Sequence, residues 1–226
     1  MATLQVTGLS GAGFGPVDLE VAAGRCIGLA GHSGSGKSQI MRAIADLEPN
    51  SGSVLLDGRE REAWTAPEWR CRVALLPAEP QWWGSRVDEH FPHGLPLEWL
   101  GRVGLSDNTG EREVARLSTG ERQRLALLRV LALRPAVLLL DEPTSNLDGG
   151  SERRIEALMA EYRAESGAAA IWVSHDEEQL TRVADCSYRI RDGQLAETCG
   201  SSTTAVPEPE RQPVSEPATA TTEGGD

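Results

Sequence analysis

A glycine-rich segment near the N-terminus carries the residue types that bind phosphate. Residues 31–38 fit the pattern G-x-x-x-x-G-K-[ST], between an apolar run ending at Ala30 and a predicted helix beginning near Lys37. In such a loop, glycines let backbone N–H groups and the helix N-terminus point at phosphate oxygens. Lys37 is placed to reach the terminal phosphates, and Ser38 can offer its hydroxyl to Mg²⁺. The predicted phosphate-binding residues are Gly31, His32, Ser33, Gly34, Ser35, Gly36, Lys37 and Ser38.

Two acidic residues follow another apolar run. Residues 137–140 are Val-Leu-Leu-Leu, and Asp141 and Glu142 come directly after them. At the end of a strand, Asp141 could hold Mg²⁺ directly or through water, and Glu142 could accept a proton from an attacking water. Such a strand end alone is as often structural as catalytic, and the phosphate loop favours the catalytic interpretation.

A mainly parallel sheet is predicted to position these residues. Residues 150–167 contain Ile155, Leu158, Met159 and Tyr162 at helical spacing, and an apolar strand follows directly. This βαβ rhythm is typical of an α/β fold. The predicted strands are residues 4–7, 17–21, 26–30, 54–57, 73–76, 137–141, 169–173 and 187–190.

Two segments do not follow this alternation of strands and helices. Residues 81–116 contain Trp82 and Trp83, several prolines and glycines, and a short predicted helix over residues 97–103, so we expect a small inserted helical lobe over about 81–134. From residue 199 onward the chain is rich in Ser, Thr, Pro, Glu, Ala and Gly. Such a composition buries too little apolar surface to offset chain entropy, which predicts a disordered tail over residues 199–226.

Composition limits the class of protein. The chain has 226 residues, enough for one domain, and a formal charge of −12 that argues against nucleic-acid binding. No apolar run approaches the roughly 18 residues of a membrane helix, and no secretory signal is visible, so we expect a cytoplasmic protein. Four scattered cysteines predict reduced thiols. Lys37 is the only lysine among 22 basic residues.

Further motifs resemble those of the ATP-binding cassette (ABC) family. Residues 117–124, Leu-Ser-Thr-Gly-Glu-Arg-Gln-Arg, resemble its LSGGQ signature, with Thr119 and Glu121 as substitutions. Residues 141–148 resemble its Walker B segment and D-loop, and residues 172–176 its H-loop. The resemblance runs from about Leu4 to Glu197, so it implies a P-loop NTPase domain over residues 1–198 with an antiparallel β subdomain near its start.

The resemblance implies a mechanism with ATP and Mg²⁺. Two copies would pair head to tail, with ATP between the phosphate loop of one and the signature of the other. Lys37, Glu142 and His175 would be catalytic, and Ser38 and Asp141 would hold Mg²⁺. Asp148 would communicate across the interface. The signature residues acting on the other copy's ATP would be Leu117, Ser118, Thr119, Gly120 and Glu121.

Two positions depart from the family pattern. Ala78 follows Pro77 where the family has a glutamine that reaches Mg²⁺, so Glu79 or Gln81 would have to substitute, or the loop lacks that role. Phe14 is the only ring near the expected adenine-stacking position. Stacking on adenine and packing beneath the first hairpin are equally consistent with its sequence context.

The resemblance implies two functions. One is the ATP-hydrolysing subunit of a transporter, bound peripherally at the inner face of the plasma membrane through a separate transmembrane permease. If exposed, Trp82 and Trp83 would suit an apolar socket for the permease, although core packing of one of them is the default expectation. The chain looks most similar to small cassettes of metal export, with iron as a candidate. The alternative is a soluble cassette of an assembly machine, such as iron–sulfur cluster assembly.

Overall fold

The computed structural model describes residues 3–191 and 193–197, and two β-sheets organise this part of the chain. The predicted tail over residues 199–226 lies outside the described residues. The strands are β1 Leu4–Gly11, β2 Phe14–Val21, β3 Cys26–Ala30, β4 Ser51–Leu56, β5 Arg59–Glu60, β6 Val73–Leu76, β7 Val137–Asp141, β8 Ala169–Val173, β9 Cys186–Arg191 and β10 Gln194–Glu197. The helices are α1 Lys37–Ile44, α2 Ala66–Arg72, α3 Leu97–Leu100, α4 Thr119–Leu131, α5 Gly149–Ser166 and α6 Glu177–Val183.

The larger sheet has the order β10-β9-β3-β8-β7-β6 and is parallel except between β9 and β10. The smaller sheet is antiparallel, with the order β2-β1-β4-β5. The predicted α/β fold with a mainly parallel sheet and an antiparallel subdomain is therefore confirmed. The parallel register brings the carboxyl ends of β3, β7 and β8 to one edge of the sheet.

Strand β7 shows how the sheet separates two cores. Leu138 and Leu140 face a core that contains α4 and α5, whereas Val137 and Leu139 face a core that contains α1 and α2. Side chains alternate between the faces of a strand, so a strand covered on both sides reads as a continuous apolar run. All five residues of β7 are buried, which explains why the run predicts this strand with its observed ends.

Helix α5 packs on the first of these cores with the apolar face that the sequence predicts. Ile155, Leu158, Met159 and Tyr162 are all buried, and the Tyr162 hydroxyl donates a hydrogen bond to Pro135 O at 3.2 Å. Asp148 begins the helix as its N-cap, and Gly167 ends it in the left-handed conformation with φ 69°. The N-cap and the terminal glycine thus fix both ends of the segment that leads into β8.

The inserted lobe contains less helix than the sequence predicts. Its only α-helices within the described residues are the four-residue α3 and the long α4, and short 3₁₀ turns cover residues 88–90, 107–111 and 114–116. The predicted helix over residues 97–103 stops after Leu100, and Gly104 follows with φ 70°. Buried Val87, Leu100 and Val103 hold the segment together through packing rather than through regular hydrogen bonding.

Two strands were not predicted, and their composition shows why. β5 has only two residues, both charged and exposed, and β10, with the sequence Gln-Leu-Ala-Glu, pairs through its backbone at the sheet edge. Neither strand carries the apolar alternation that identifies a strand in sequence. Within the described residues, no helix combines the length and apolar character that crossing a membrane would require.

Candidate functional site

The phosphate loop joins β3 to α1 and leaves the first backbone N–H groups of α1 free of side-chain caps. Gly36 is the N-cap residue, with φ 100°, and no side chain caps the helix at that end. A Cβ atom on Gly36 would also lie 3.2 Å from the Cβ of Phe14. Glycine is therefore required there, and the uncapped N–H groups are available to an anion.

Lys37 is almost completely buried at the base of this loop. Its Nζ donates hydrogen bonds to Gly31 O at 2.7 Å and His32 O at 2.9 Å, so the ammonium group is held in the loop that it would serve. Burial lowers the pKa of Lys37, and the charges of Glu142 and Asp141 act in the opposite direction. The side chain thus provides a fixed positive charge beside two carboxylates.

Asp141 and Glu142 lie at the carboxyl end of β7, where the sequence predicts them. Asp141 is buried as the last residue of the strand. Glu142 has φ 49°, unusual for a residue other than glycine, and its backbone N–H donates to Val173 O at 3.2 Å. A strained backbone at such a position is typical of a functional turn.

His175 lies next to Glu142. Its Nε2 is 3.1 Å from Glu142 Oε1, and the loop after β8 that carries His175 is fixed by a hydrogen bond from Asp176 N to Ser174 Oγ at 3.0 Å. Burial raises the pKa of Glu142, and the nearby His175 opposes this shift. A carboxylate with a raised pKa is a better proton acceptor than an ordinary surface glutamate.

These residues surround one cavity of about 380 Å³, which we call the phosphate pocket. It is lined by Ser33, Gly34, Ser35, Gly36, Lys37, Ser38, Gln39, Ala78, Asp141, Glu142 and His175. The Ser38 hydroxyl and the Asp141 carboxylate supply oxygen ligands of the kind that Mg²⁺ prefers. The structure therefore brings together the loop, both acids and the histidine, from three separate parts of the sequence.

The signature segment lies apart from the phosphate pocket. Ser118 is the N-cap of α4: its Oγ accepts from Glu121 N at 3.2 Å, and the Glu121 carboxylate accepts from Ser118 N at 2.8 Å. Ser118 and Thr119 are exposed, Gly120 is partly buried and Leu117 is buried. The segment is thus a well-formed helix N-terminus that faces solvent.

Asp148 begins the next helix in the same way. Its carboxylate accepts from Ser151 N at 2.9 Å and from Ser151 Oγ at 2.8 Å, and these hydrogen bonds lower the pKa of Asp148. The residue is exposed and does not line the phosphate pocket. Within one copy of the chain its visible role is that of a helix cap.

Phe14 and Gln81 are not brought to the phosphate pocket. Phe14 is 7 % exposed and packs into the core with the antiparallel sheet, which is the arrangement expected for packing beneath the first hairpin. Gln81 and Glu79 line a different cavity, beside the signature helix, and Gln81 Nε2 donates to Glu79 O at 3.3 Å. Ala78 lines the phosphate pocket itself, so the position of the family's glutamine is occupied by a methyl group.

Two further features were missed by the sequence analysis. Gln39 also lines the phosphate pocket, one residue beyond the end of the loop pattern. Thr144 and Gln179, 35 residues apart, form a buried hydrogen bond of 2.8 Å that ties the loop after Glu142 to α6. The position of Gln39 next to Ser38 could have predicted that it lines the pocket. Nothing in the sequence predicts the hydrogen bond between Thr144 and Gln179, because the two residues are 35 positions apart.

Comparison with known proteins agrees with this geometry. The family model described as "ABC transporter" matches residues 14–145, which is more than half of the chain. The chain belongs to the ABC transporter family. The match includes the phosphate loop, the signature and both acids of the phosphate pocket, although it ends before His175.

Curated relatives of this ABC chain include ATP-binding proteins of transport systems. It is 35 % identical over 193 residues to Protein STAR1 of Oryza sativa subsp. japonica, covering 80 % of this chain and 56 % of the relative. It is 36 % identical over 188 residues to the aliphatic sulfonates import ATP-binding protein SsuB of Cupriavidus necator, covering 80 % of this chain and 61 % of the relative. The chain thus spans a little more than half the length of these two relatives.

A solved structure confirms the fold of the ABC chain. The "Structure of ATP binding subunit of ABC transporter" superposes with a TM-score of 0.78 over 86 % of this chain and 88 % of that one, at 23 % identity. This agreement shows the fold alone. The expectation of metal export receives no support from these names, since the relative whose name states a direction is an importer.

Proposed function

We propose that this chain binds and hydrolyses ATP as the ATP-binding subunit of an ABC transporter whose membrane part is a separate polypeptide. The observation that carries the proposal is the phosphate pocket, in which Lys37, Ser38, Asp141, Glu142 and His175 meet around one cavity. Family membership and the import proteins among the relatives support the transport role.

Different residues of the phosphate pocket bind the phosphates, hold Mg²⁺ and accept the proton. Lys37 and the uncapped N-terminus of α1 bind the phosphates. Ser38 and Asp141 would hold Mg²⁺, which supplies positive charge against the phosphate oxygens when bound. Glu142 accepts a proton from the attacking water, and His175, whose Nε2 lies 3.1 Å from Glu142 Oε1, would contact the γ-phosphate.

A second copy of the chain would complete the site. Ser118 and Asp148 are exposed and lie outside the phosphate pocket of their own chain. The exposed helix N-terminus at Ser118 can receive an anion from outside, which is the role that the family resemblance assigns to the signature. We therefore infer a homodimer in the ATP state, with each signature contacting the γ-phosphate held by the other copy.

The permease would dock at a second cavity, of about 340 Å³, which we call the loop groove. Its lining is mostly apolar, and Trp83 at its rim is 73 % exposed, the most exposed of the large apolar side chains described. Apolar patches with an aromatic anchor are typical of protein interfaces. The groove is lined by Leu75, Leu76, Pro77, Trp83, His90, Phe91, Pro92, His93, Gly94, Arg129, Val130, Ala132 and Leu133.

Arg129 lies against the Trp83 ring at the rim of the loop groove. Its guanidinium lies 4.9 Å from the Trp83 ring centre and donates to Gln81 O at 3.1 Å, and among the described residues its Nη1 has no hydrogen-bond partner. Because that Nη1 atom is buried, Arg129 contributes to the loop groove by supporting the exposed Trp83 ring rather than by offering a donor at the surface. Localisation at the inner face of the membrane follows from docking of the permease.

The alternative function, a soluble assembly ATPase, is not favoured by the relatives, since the names that state a process describe import. The cargo would be selected by the permease, so the ATP-binding chain does not define it.

The proposal is tested by Glu142→Gln. We expect ATP turnover to fall by at least about a hundredfold, because the amide cannot accept the proton, while an ATP-bound dimer accumulates. Phosphate release measures the first effect, and sedimentation velocity with Mg²⁺ and ATP measures the second. Glu98→Gln, an exposed residue of the lobe, is the matched control. Full turnover of Glu142→Gln would show that the assigned base is wrong.

A further inference from the structure

The signature of this chain carries a negative charge where the family pattern LSGGQ has a neutral glutamine. Glu121 lies in the first turn of α4, and its Oε2 accepts from Ser118 N at 2.8 Å. The N-terminus of a helix attracts anions through its free N–H groups and its dipole. A carboxylate in the first turn reduces the positive potential that would receive a phosphate from a second copy.

Arg112 supplies the opposite charge at this position. Its Nη1 lies 2.5 Å from Glu121 Oε1, and the side chains are 35 % and 21 % exposed. The pKa of Glu121 is lowered to about 2, first by the hydrogen bond from Arg112 and then by that from Ser118 N. Glu121 is therefore ionised at neutral pH, and its charge is cancelled by Arg112 rather than by a proton.

The backbone around Arg112 is fixed independently of Glu121. Val87 N donates to Arg112 O at 3.1 Å, and Val114 N donates to Ser85 O at 2.8 Å. Val87 is completely buried, so this pairing anchors the segment to the core of the lobe. The backbone that carries Arg112 is thus fixed by contacts that do not involve the carboxylate, and Arg112 Nη2 also donates to Arg116 O at 3.4 Å.

We propose that Arg112 is a positioning residue that neutralises Glu121, so that the N-terminus of α4 keeps the positive potential needed to receive the γ-phosphate bound by a second copy. This inference rests on the proposed ATP-dependent dimer. If Arg112 only tethered its own segment to α4, removing either partner would weaken the dimer. The electrostatic role predicts instead that dimer affinity follows the net charge of the pair.

The test is a charge cycle in the Glu142→Gln background, with the dissociation constant of the ATP-bound dimer measured by sedimentation velocity. Arg112→Gln leaves a net charge of −1 and should weaken the dimer about tenfold, the scale of a partly buried charge at a helix end. Glu121→Gln leaves +1 and should tighten the dimer about two- to threefold. The double variant is neutral and should return to within about twofold of the parent.

Salt and a neighbouring arginine provide controls. The defect of Arg112→Gln, relative to the parent at the same salt, should shrink in 1 M salt because ions screen the uncompensated charge. Arg116→Gln removes an arginine four residues away whose side chain is 76 % exposed and pairs with Glu113. This variant should stay within about twofold of the parent.

The outcomes separate the inference from the proposed function. The inference is overturned if Arg112→Gln dimerises like the parent, or if Glu121→Gln weakens the dimer. Should Arg112→Gln fail to fold, Glu121→Gln still decides, since tightening supports the inference and weakening overturns it. A parent that forms no ATP-bound dimer would overturn the proposed dimer and this inference together.

Discussion

The phosphate pocket and the loop groove have similar volumes but are lined by different kinds of residue. The phosphate pocket is lined by glycines, short polar side chains and charged groups at the ends of regular elements. The loop groove is lined mainly by aromatic, proline and leucine side chains from the irregular segment after β6 and from the end of α4. The residues proposed for chemistry are therefore fixed by strand ends and helix caps, whereas the residues proposed for permease docking are fixed by side-chain packing.

Ala78 lies where the two regions adjoin. It lines the phosphate pocket, and the preceding residue, Pro77, lines the loop groove. The family places at this position a glutamine that would link the two regions directly. The methyl group of Ala78 cannot form that link. We therefore expect substitutions in the loop groove to have little effect on ATP hydrolysis in the phosphate pocket, and the reverse.

His175→Ala should produce the largest effect that sharpens this comparison. We expect ATP turnover to fall about ten- to a hundredfold, because the pocket loses the imidazole that lies beside Glu142 and is proposed to contact the γ-phosphate. His175 opposes the burial that raises the pKa of Glu142, so its removal should raise that pKa further. Turnover requires ionised Glu142, and the acid limb of the pH–rate profile should therefore move to higher pH.

The control for this variant is His93→Ala, which changes an exposed histidine of the loop groove. Its pH–rate profile should match that of the parent. An acid limb of His175→Ala at or below the pH of the parent would contradict the assigned electrostatics.

Trp83→Ala should affect the proposed docking at the loop groove without affecting hydrolysis in the phosphate pocket. Because the side chain is 73 % exposed, we expect a change in unfolding free energy of less than about 1 kcal/mol and basal ATP turnover within about twofold. Stimulation by the permease in proteoliposomes should be lost. Leu97→Ala, another exposed apolar residue of the lobe, is the matched control and should leave stimulation intact. A large loss of basal turnover in Trp83→Ala would mean that the regions are coupled within the single chain.

Gln81→Ala should have the smallest effect. Gln81 lines the cavity beside the signature helix rather than the phosphate pocket, so we expect Mg²⁺-dependent turnover to change by less than about twofold. A Mg²⁺ titration of turnover provides the measurement, with Glu79→Gln as the comparison variant. A marked increase in the Mg²⁺ requirement of Gln81→Ala would show that Gln81 reaches the metal after all.

The sequence predicted most of the phosphate pocket because its elements are encoded locally. The ends of β3, β7 and β8 follow from continuous apolar runs, the phosphate loop and the two acids follow from their positions after β3 and β7, and His175 followed from the family resemblance. Phe14 illustrates the limit of such reasoning. Whether one ring stacks on a ligand or packs in the core depends on the sheet above it, which is assembled from segments distant in sequence.

The lobe was less predictable for the same reason. Its short turns pack through buried residues such as Val87 and Val103 that do not recur at helical spacing. The spacing of apolar residues in the sequence therefore overestimated the helix content of the lobe. The pairing of Arg112 with Glu121 depends on a chain reversal within irregular structure. The sequence alone therefore does not predict that Arg112 contacts Glu121.

The central claim, that each ATP site is shared between two copies, is tested most directly by complementation. Lys37→Ala removes the phosphate-loop lysine, Ser118→Arg blocks the signature, and each variant alone should be inactive. In an equimolar mixture, half of the dimers are mixed and each mixed dimer has one intact site, so about a quarter of parental ATP turnover should return. No recovery, with mixed dimers shown to form, would contradict the shared site and place hydrolysis within a single chain.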